Sequence, residues 1–205
     1  MPPISSSCPL CLGSASPRRR ELLAGLGLPL TIVAADIEED VQADEGFLEY
    51  LERVVDDKLA AVCGKLRTVR EIAAVLVADT IVVINGEILG KPSDTRDAVR
   101  LLRRLTGNEH TVYTRYAIQT LPVNSGKSQR RTVASCVTLR KATETEIQRY
   151  AATGEGLDKA GAYAAQGVGS FLIERIDGSY TNVVGLPLCE VVLDLMVLDL
   201  LVDFP

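Results

Sequence analysis

Residues 72–84 read Ile-Ala-Ala-Val-Leu-Val-Ala-Asp-Thr-Ile-Val-Val-Ile, an apolar run interrupted only at Asp79 and Thr80. The run is rich in β-branched residues and leads into Asn85-Gly86, a strong two-residue hairpin signal. It predicts strands over Ile72–Val77 and Ile81–Ile84, both lacking the apolar/polar alternation of a half-exposed strand. Strands buried on both faces need helices to cover them. Helical periodicity recurs at Pro17–Leu26, Phe47–Cys63, Asp94–Leu105, Thr143–Ala151 and Leu188–Val202. Further strands are predicted at Pro9–Gly13, Thr31–Ala34, His110–Leu121, Arg131–Leu139 and Ser170–Ile176. Thr143 and Glu146 form a capping box, and Gly107 and Gly154 stand where helices stop. With helices and strands interleaved, the expected fold is α/β, a mixed sheet flanked by helices. The loose segment Pro122–Gln129 reads as an insertion between strands, so a single domain over residues 1–205 is expected.

Composition narrows the function. The 27 acidic against 22 basic residues leave a net charge of −5, which argues against a nucleic-acid polymer as partner. An anionic ligand would have to meet a local basic pocket. The odd cysteine count of five and the lone histidine, His110, suit a reduced, cytoplasmic protein. Cys8 and Cys11 are spaced C-x-x-C, but no second pair follows, so the spacing reads as accidental and a zinc site is not expected. The apolar tail from Leu186 to Val202 is punctuated by Glu190, Asp194 and Asp199, which predicts an amphipathic helix with an acidic outer face and no membrane span.

Four local anomalies point to chemistry. Gly13-Ser14-Ala15-Ser16-Pro17-Arg18-Arg19-Arg20 follows a strand and opens a helix, with Ser16 as N-cap and Pro17 at the first helical position. Arginines in that first turn oppose the helix dipole, and Arg19 occupies the place a capping box gives to glutamate. A bound phosphate would resolve the conflict; a solvated basic patch is the alternative. Lys58 lies on the buried stripe with Val54, Val55 and Val62, either lining an anion pocket or carrying its head group out to water. Asp79 sits in an apolar run, costly to bury unless it meets a cation, a metal or hydrogen-bond donors; otherwise it marks a turn between two strands. If the hairpin folds back, Lys91 of Gly90-Lys91-Pro92 returns near Asp79. The acidic run Asp36-Ile37-Glu38-Glu39-Asp40 is either a solvated loop or a chelator of a hard divalent cation.

Four blocks together resemble the Maf family of nucleoside triphosphate pyrophosphatases, named for septum formation. They are Leu12 to Leu23, Val77 to Val83, Gly86 to Pro92, and Leu157 to Tyr163 continuing through Gln166-Gly167. Asn182 to Leu188 aligns in character, and the likeness runs from about Pro9 to the last helix. The resemblance implies an elongated, twisted mixed sheet flanked by helices, with two lobes and a central cleft, similar to the inosine triphosphate pyrophosphatases, and a homodimer. It implies hydrolysis between the α and β phosphates with a divalent metal, magnesium or manganese. Carried over by position, Asp79 is the general base and Glu39 with Asp79 holds the metal. Ser14, Arg18, Arg19, Lys58, Lys91 and Lys159 grip the substrate.

The family divides by base. One branch resembles this chain at Arg18, Thr80 and Gln166 and acts on dTTP, UTP and modified pyrimidine triphosphates. The other, acting on 7-methyl-GTP, carries glutamate in place of Gln166. An amide offers a donor and an acceptor together, matching the O4 and N3–H edge of uracil or thymine, where a carboxylate only accepts. Ala164-Ala165 stands where the family commonly has Gly-Ile, and Cys11-Leu12-Gly13 replaces a more usual alanine before the serine. The expected function is therefore a dTTP/UTP pyrophosphatase. The alternatives are the 7-methyl-GTP branch and a nucleotide-binding regulator of cell division.

Overall fold

Leu10, Cys11 and Leu12 are wholly buried because their strand lies inside the sheet with parallel neighbours on both edges. The computed structural model describes residues 2–66, 69, 71–123, 126–202 and 204. In chain order the elements are β1 (Leu10–Leu12), α1 (Pro17–Ala24), β2 (Leu30–Ile32), α2 (Phe47–Lys65), β3 (Ala74–Ile84), β4 (Glu87–Leu89), α3 (Thr95–Leu105), β5 (Glu109–Thr120), β6 (Ser128–Leu139), α4 (Glu144–Ala152), β7 (Ile173–Asp177), α5 (Tyr180–Val184) and α6 (Leu188–Val197). Among the described residues the sheet has seven strands, in the order β2-β1-β3-β5-β6-β7, with β4 paired to β3. It is mixed: β1 runs parallel to β2 and β3, whereas β3–β4 and β6–β7 are antiparallel. The expected mixed α/β architecture is therefore present.

Two compact units emerge along the chain. The first takes Met1–Asp79, Thr114–Thr132 and Gly185–Pro205, and the second takes Thr80–Tyr113 and Val133–Val184. The first unit has a core in which Val55, Leu59 and Val62 of α2 pack on Cys11, Val75 and Val77. In the second, Leu101, Leu102 and Leu105 of α3 join Val82, Val112, Val137, Ile147 and Tyr150. Asn85 and Gly86 both take positive φ, 52° and 80°, and close the β3–β4 hairpin as the Asn-Gly pair predicts. Thr143 and Glu146 form the expected capping box on α4, and Gly107 and Gly154 adopt φ of 76° and 73° past the ends of α3 and α4.

Three expectations change. Residues 74–84 form one unbroken strand, so Asp79 sits within β3 and does not mark a turn. Helix α6 stops at Val197, short of Val202, and Asp199 beyond it takes φ of 60° and pairs with Lys127 at 2.8 Å. The outer face of α6 is apolar at Leu193 and Val197, while Asp194 is 2% exposed. Asp194 turns inward because Tyr116 donates its hydroxyl at 2.5 Å and Arg131 supplies a guanidinium at 2.5 Å. All five cysteines are free thiols, and burial pushes Cys11 up to about 11. Among the described residues no helix is long and apolar enough to cross a membrane.

Candidate active site

Just past β1 the backbone lies tight against the core, and Gly13 permits the close approach. A Cβ there would stand 2.6 Å from Val77 Cγ1 and 3.0 Å from Val62 Cγ2. Ser14 follows, and its Oγ accepts the Ser16 amide at 3.2 Å. Ser16 caps α1 by accepting the Arg19 amide, with Pro17 next in the helix, as its sequence predicts. Arg18 is half-buried. Arg19 behaves differently from a ligand-seeking first-turn arginine. It is 8% exposed; its Nε donates to the Gly185 carbonyl at 2.8 Å and its Nη1 to Ser14 Oγ at 3.2 Å. Burial pushes the Arg19 guanidinium below its ordinary pKa, while the charges of Asp79 and Glu39 oppose that shift. The basic helix start and the carboxylates thus act on one another electrostatically.

Those carboxylates meet at Lys58. From the buried stripe of α2 the lysine places Nζ 2.7 Å from Asp79 Oδ1 and 2.8 Å from Glu39 Oε1. The Asp79 side chain is 12% exposed and that of Glu39 42%, so the bridge joins a buried acid on β3 to a wet one on the loop before α2. The inward reading of Lys58 holds, and its head group does not escape to solvent. Tyr50, also on the inner face of α2, donates its hydroxyl to the Glu39 carbonyl at 3.0 Å and so ties the acidic loop to the helix. Burial first, then the nearby Asp79 and Glu39 charges, raises Tyr50 to about 12, keeping it a neutral donor. Tyr50 and the Gly185 carbonyl escaped the sequence reading. Tyr50 had a usable signal, a tyrosine on an apolar stripe whose hydroxyl needs a partner.

The remaining candidates belong to the second unit. Thr80 is half-buried on β3 and, as the residue after Asp79, projects to the opposite face of the strand. Lys91 is exposed just after β4. Lys159 is half-buried, with Nζ donating to the Glu155 carbonyl and the Asp158 carboxylate, each at 2.5 Å. Gln166 is exposed in the loop between Tyr163 and Gly167. Within the first unit the structure brings together Ser14 with Arg19, and Glu39 with Lys58 and Asp79. The partner it gives Asp79 is Lys58.

The fold and these side chains define a class: a mixed α/β protein with a capped, arginine-bearing helix start and a pair of carboxylates held around one buried lysine. The family model described as Maf-like protein matches residues 9–197, and the chain belongs to that family. Its relatives include a "dTTP/UTP pyrophosphatase" of Hahella chejuensis, 47% identical over 183 residues and covering 89% of each chain. The "dTTP/UTP pyrophosphatase" of Geobacter sulfurreducens is 46% identical over 186 residues, 91% of this chain and 94% of the relative. Among solved structures, the Ham1 protein of Staphylococcus aureus aligns with a TM-score of 0.44 and 15% identity, over 80% of this chain and 79% of that one.

Proposed function

We propose that this protein hydrolyses dTTP and UTP to the nucleoside monophosphate and pyrophosphate, the activity named for its relatives at 46–47% identity. The observation that carries the mechanism is the Glu39–Lys58–Asp79 bridge, with both contacts at or below 2.8 Å. Glu39 and Asp79 supply hard carboxylate oxygens of the kind magnesium and manganese take, and an ion bound there would share them with the Lys58 ammonium. Among the described residues no three or more His, Cys, Asp or Glu side chains are placed so that they could hold one metal ion, so water and phosphate oxygens would complete the shell. Held by Glu39 and Asp79, such an ion would supply positive charge to the phosphate oxygens.

The chain's own residues account for the rest. Asp79 accepts a proton from the attacking water as its oxygen bonds to the α phosphorus and the bond to the α–β bridging oxygen breaks, releasing pyrophosphate. Lys58 keeps the base and Glu39 together and offers its ammonium to the same phosphates. Ser14, braced by Arg19, and Arg18 at the start of α1 bind phosphate oxygens. The family resemblance gives Lys91 and Lys159 further phosphate contacts, and gives Arg18, Thr80 and Gln166 each a part in the choice of base. The test is the product released from dTTP, UTP, CTP and 7-methyl-GTP with magnesium or manganese. Pyrophosphate, formed fastest from dTTP and UTP, is expected. Release of orthophosphate alone would overturn the reaction, and a preference for 7-methyl-GTP would overturn the base assignment.

A further inference from the structure

A short exposed loop that reads a base must be held still by something. The segment around Gln166 is tied on both sides to a single Tyr–Glu pair. Glu155, just past the end of α4, accepts the Val168 amide on Oε1 at 2.9 Å and the Gly169 amide on Oε2 at 2.7 Å. Tyr150 of α4, 3% exposed, donates its hydroxyl to Glu155 Oε2 at 2.9 Å and accepts the Ala164 amide at 3.0 Å. Ala164 precedes Gln166 and Val168 follows it, so both limbs of the loop end on the same pair of side chains.

The backbone is shaped to let the pair in. Gly167 takes φ of 75°, and a Cβ there would lie 2.2 Å from Glu155 Oε1; one on Gly169 would lie 2.4 Å from the Tyr150 hydroxyl. A carboxylate, which only accepts, meets three donors here. Burial raises the Glu155 carboxyl, yet the Gly169 and Val168 amides and the Tyr150 hydroxyl hold it below the ordinary carboxylate range, so the clamp stays ionised at neutral pH. Tyr163, one residue before Ala164, is fixed separately by a 2.8 Å hydrogen bond to His110 Nε2. Ala165, Gln166 and Gly167 are left between the ties, with the Gln166 side chain exposed.

We propose that Glu155 and Tyr150 are positioning residues for base selection, setting the place of Gln166 by clamping the backbone on either side of it. The inference rests on the reading of Gln166 given above. Glu155→Gln turns an amide NH2 toward a backbone N–H and loses one of the two amide contacts. Tyr150→Phe leaves both Glu155–amide bonds in place and removes only the tie to Ala164 and the hydroxyl donated to Glu155.

The experiment measures kcat and KM for dTTP, UTP and CTP on wild type, Glu155→Gln, Tyr150→Phe and Gln166→Ala, each checked for folding by circular dichroism. The expected result is a loss of about tenfold in the dTTP-to-CTP ratio of kcat/KM for Glu155→Gln, carried mainly by KM, and a smaller loss in the same sense for Tyr150→Phe. Gln166→Ala should lower the ratio at least as far. Equal losses on all three triphosphates would mean a general scaffold role and overturn the clamp; so would a lowered ratio in Gln166→Ala with none in Glu155→Gln and Tyr150→Phe. An unchanged ratio in Gln166→Ala would overturn the base assignment itself and the clamp with it. Should Glu155→Gln not fold, Tyr150→Phe decides alone.

Discussion

Replacing Lys58 by methionine keeps the unbranched stem as far as Cε and removes the only cation bridging Asp79 and Glu39 among the described contacts. Removing one partner of a buried ion pair costs roughly 3–5 kcal/mol, because the other is left charged and desolvated. Glu39, with 42% of its side chain exposed, regains water, so its share is small. Asp79, at 12%, cannot. The low end of the range applies, about 3 kcal/mol, which in a chain of this size lowers the melting temperature by about 6–12 °C. Asp79→Asn should also destabilise, by about 2 kcal/mol, since it strips a buried lysine of its closer partner. This reverses what an unpaired carboxylate in an apolar strand would suggest. The double variant should lose less than the sum of the two, with a coupling of about 2 kcal/mol. Urea melts of the four proteins close the cycle, and repeating them with manganese tests the donor set. Ion at about 100 times its dissociation constant should return about 2.7 kcal/mol to Lys58→Met, where the carboxylates are released. A Lys58→Met penalty under about 1 kcal/mol, with no coupling to Asp79, would refute the buried bridge.

Arg19→Ala should cost about 2 kcal/mol by leaving the Gly185 carbonyl without its 2.8 Å donor, so the free variant melts lower as well as binding substrate less well; an unchanged urea midpoint would count against it. His110 is 3% exposed, and burial holds it near 4 against an ordinary 6.5. The unfolded chain therefore takes up the proton first as pH falls, and stability is lost between about pH 6.5 and 4, by about 3 kcal/mol in all. Comparing wild type with His110→Gln at steps through that window should show the gap between them narrowing as pH falls; a constant gap would refute the assignment.

Periodicity puts Lys58 on the buried stripe with Val54, Val55 and Val62 but leaves open whether its head group reaches water; its contacts with Asp79 and Glu39 decide that. The Ser16 cap and the Asn-Gly hairpin are legible in the sequence, since each depends on backbone geometry within a few residues, whereas the need for glycine at position 13 comes from the distant Val62 and Val77. Nor are the partners of the charged side chains legible. Asp79 looked like an interruption of two strands because its lysine lies on another element, 21 residues away in the chain. Arg19 looked free for a ligand because the carbonyl that takes its guanidinium is 166 residues further on. Asp194 was placed on an outer face by spacing alone, whereas Tyr116 and Arg131 hold it inside. Glu155 gave no signal at all, since its partners are backbone amides, which every residue but proline carries and no side-chain pattern reveals. Faces follow from short-range repeats along the chain. Which charge meets which is decided only when distant segments are packed, since burial then makes an unpaired group too costly to leave alone.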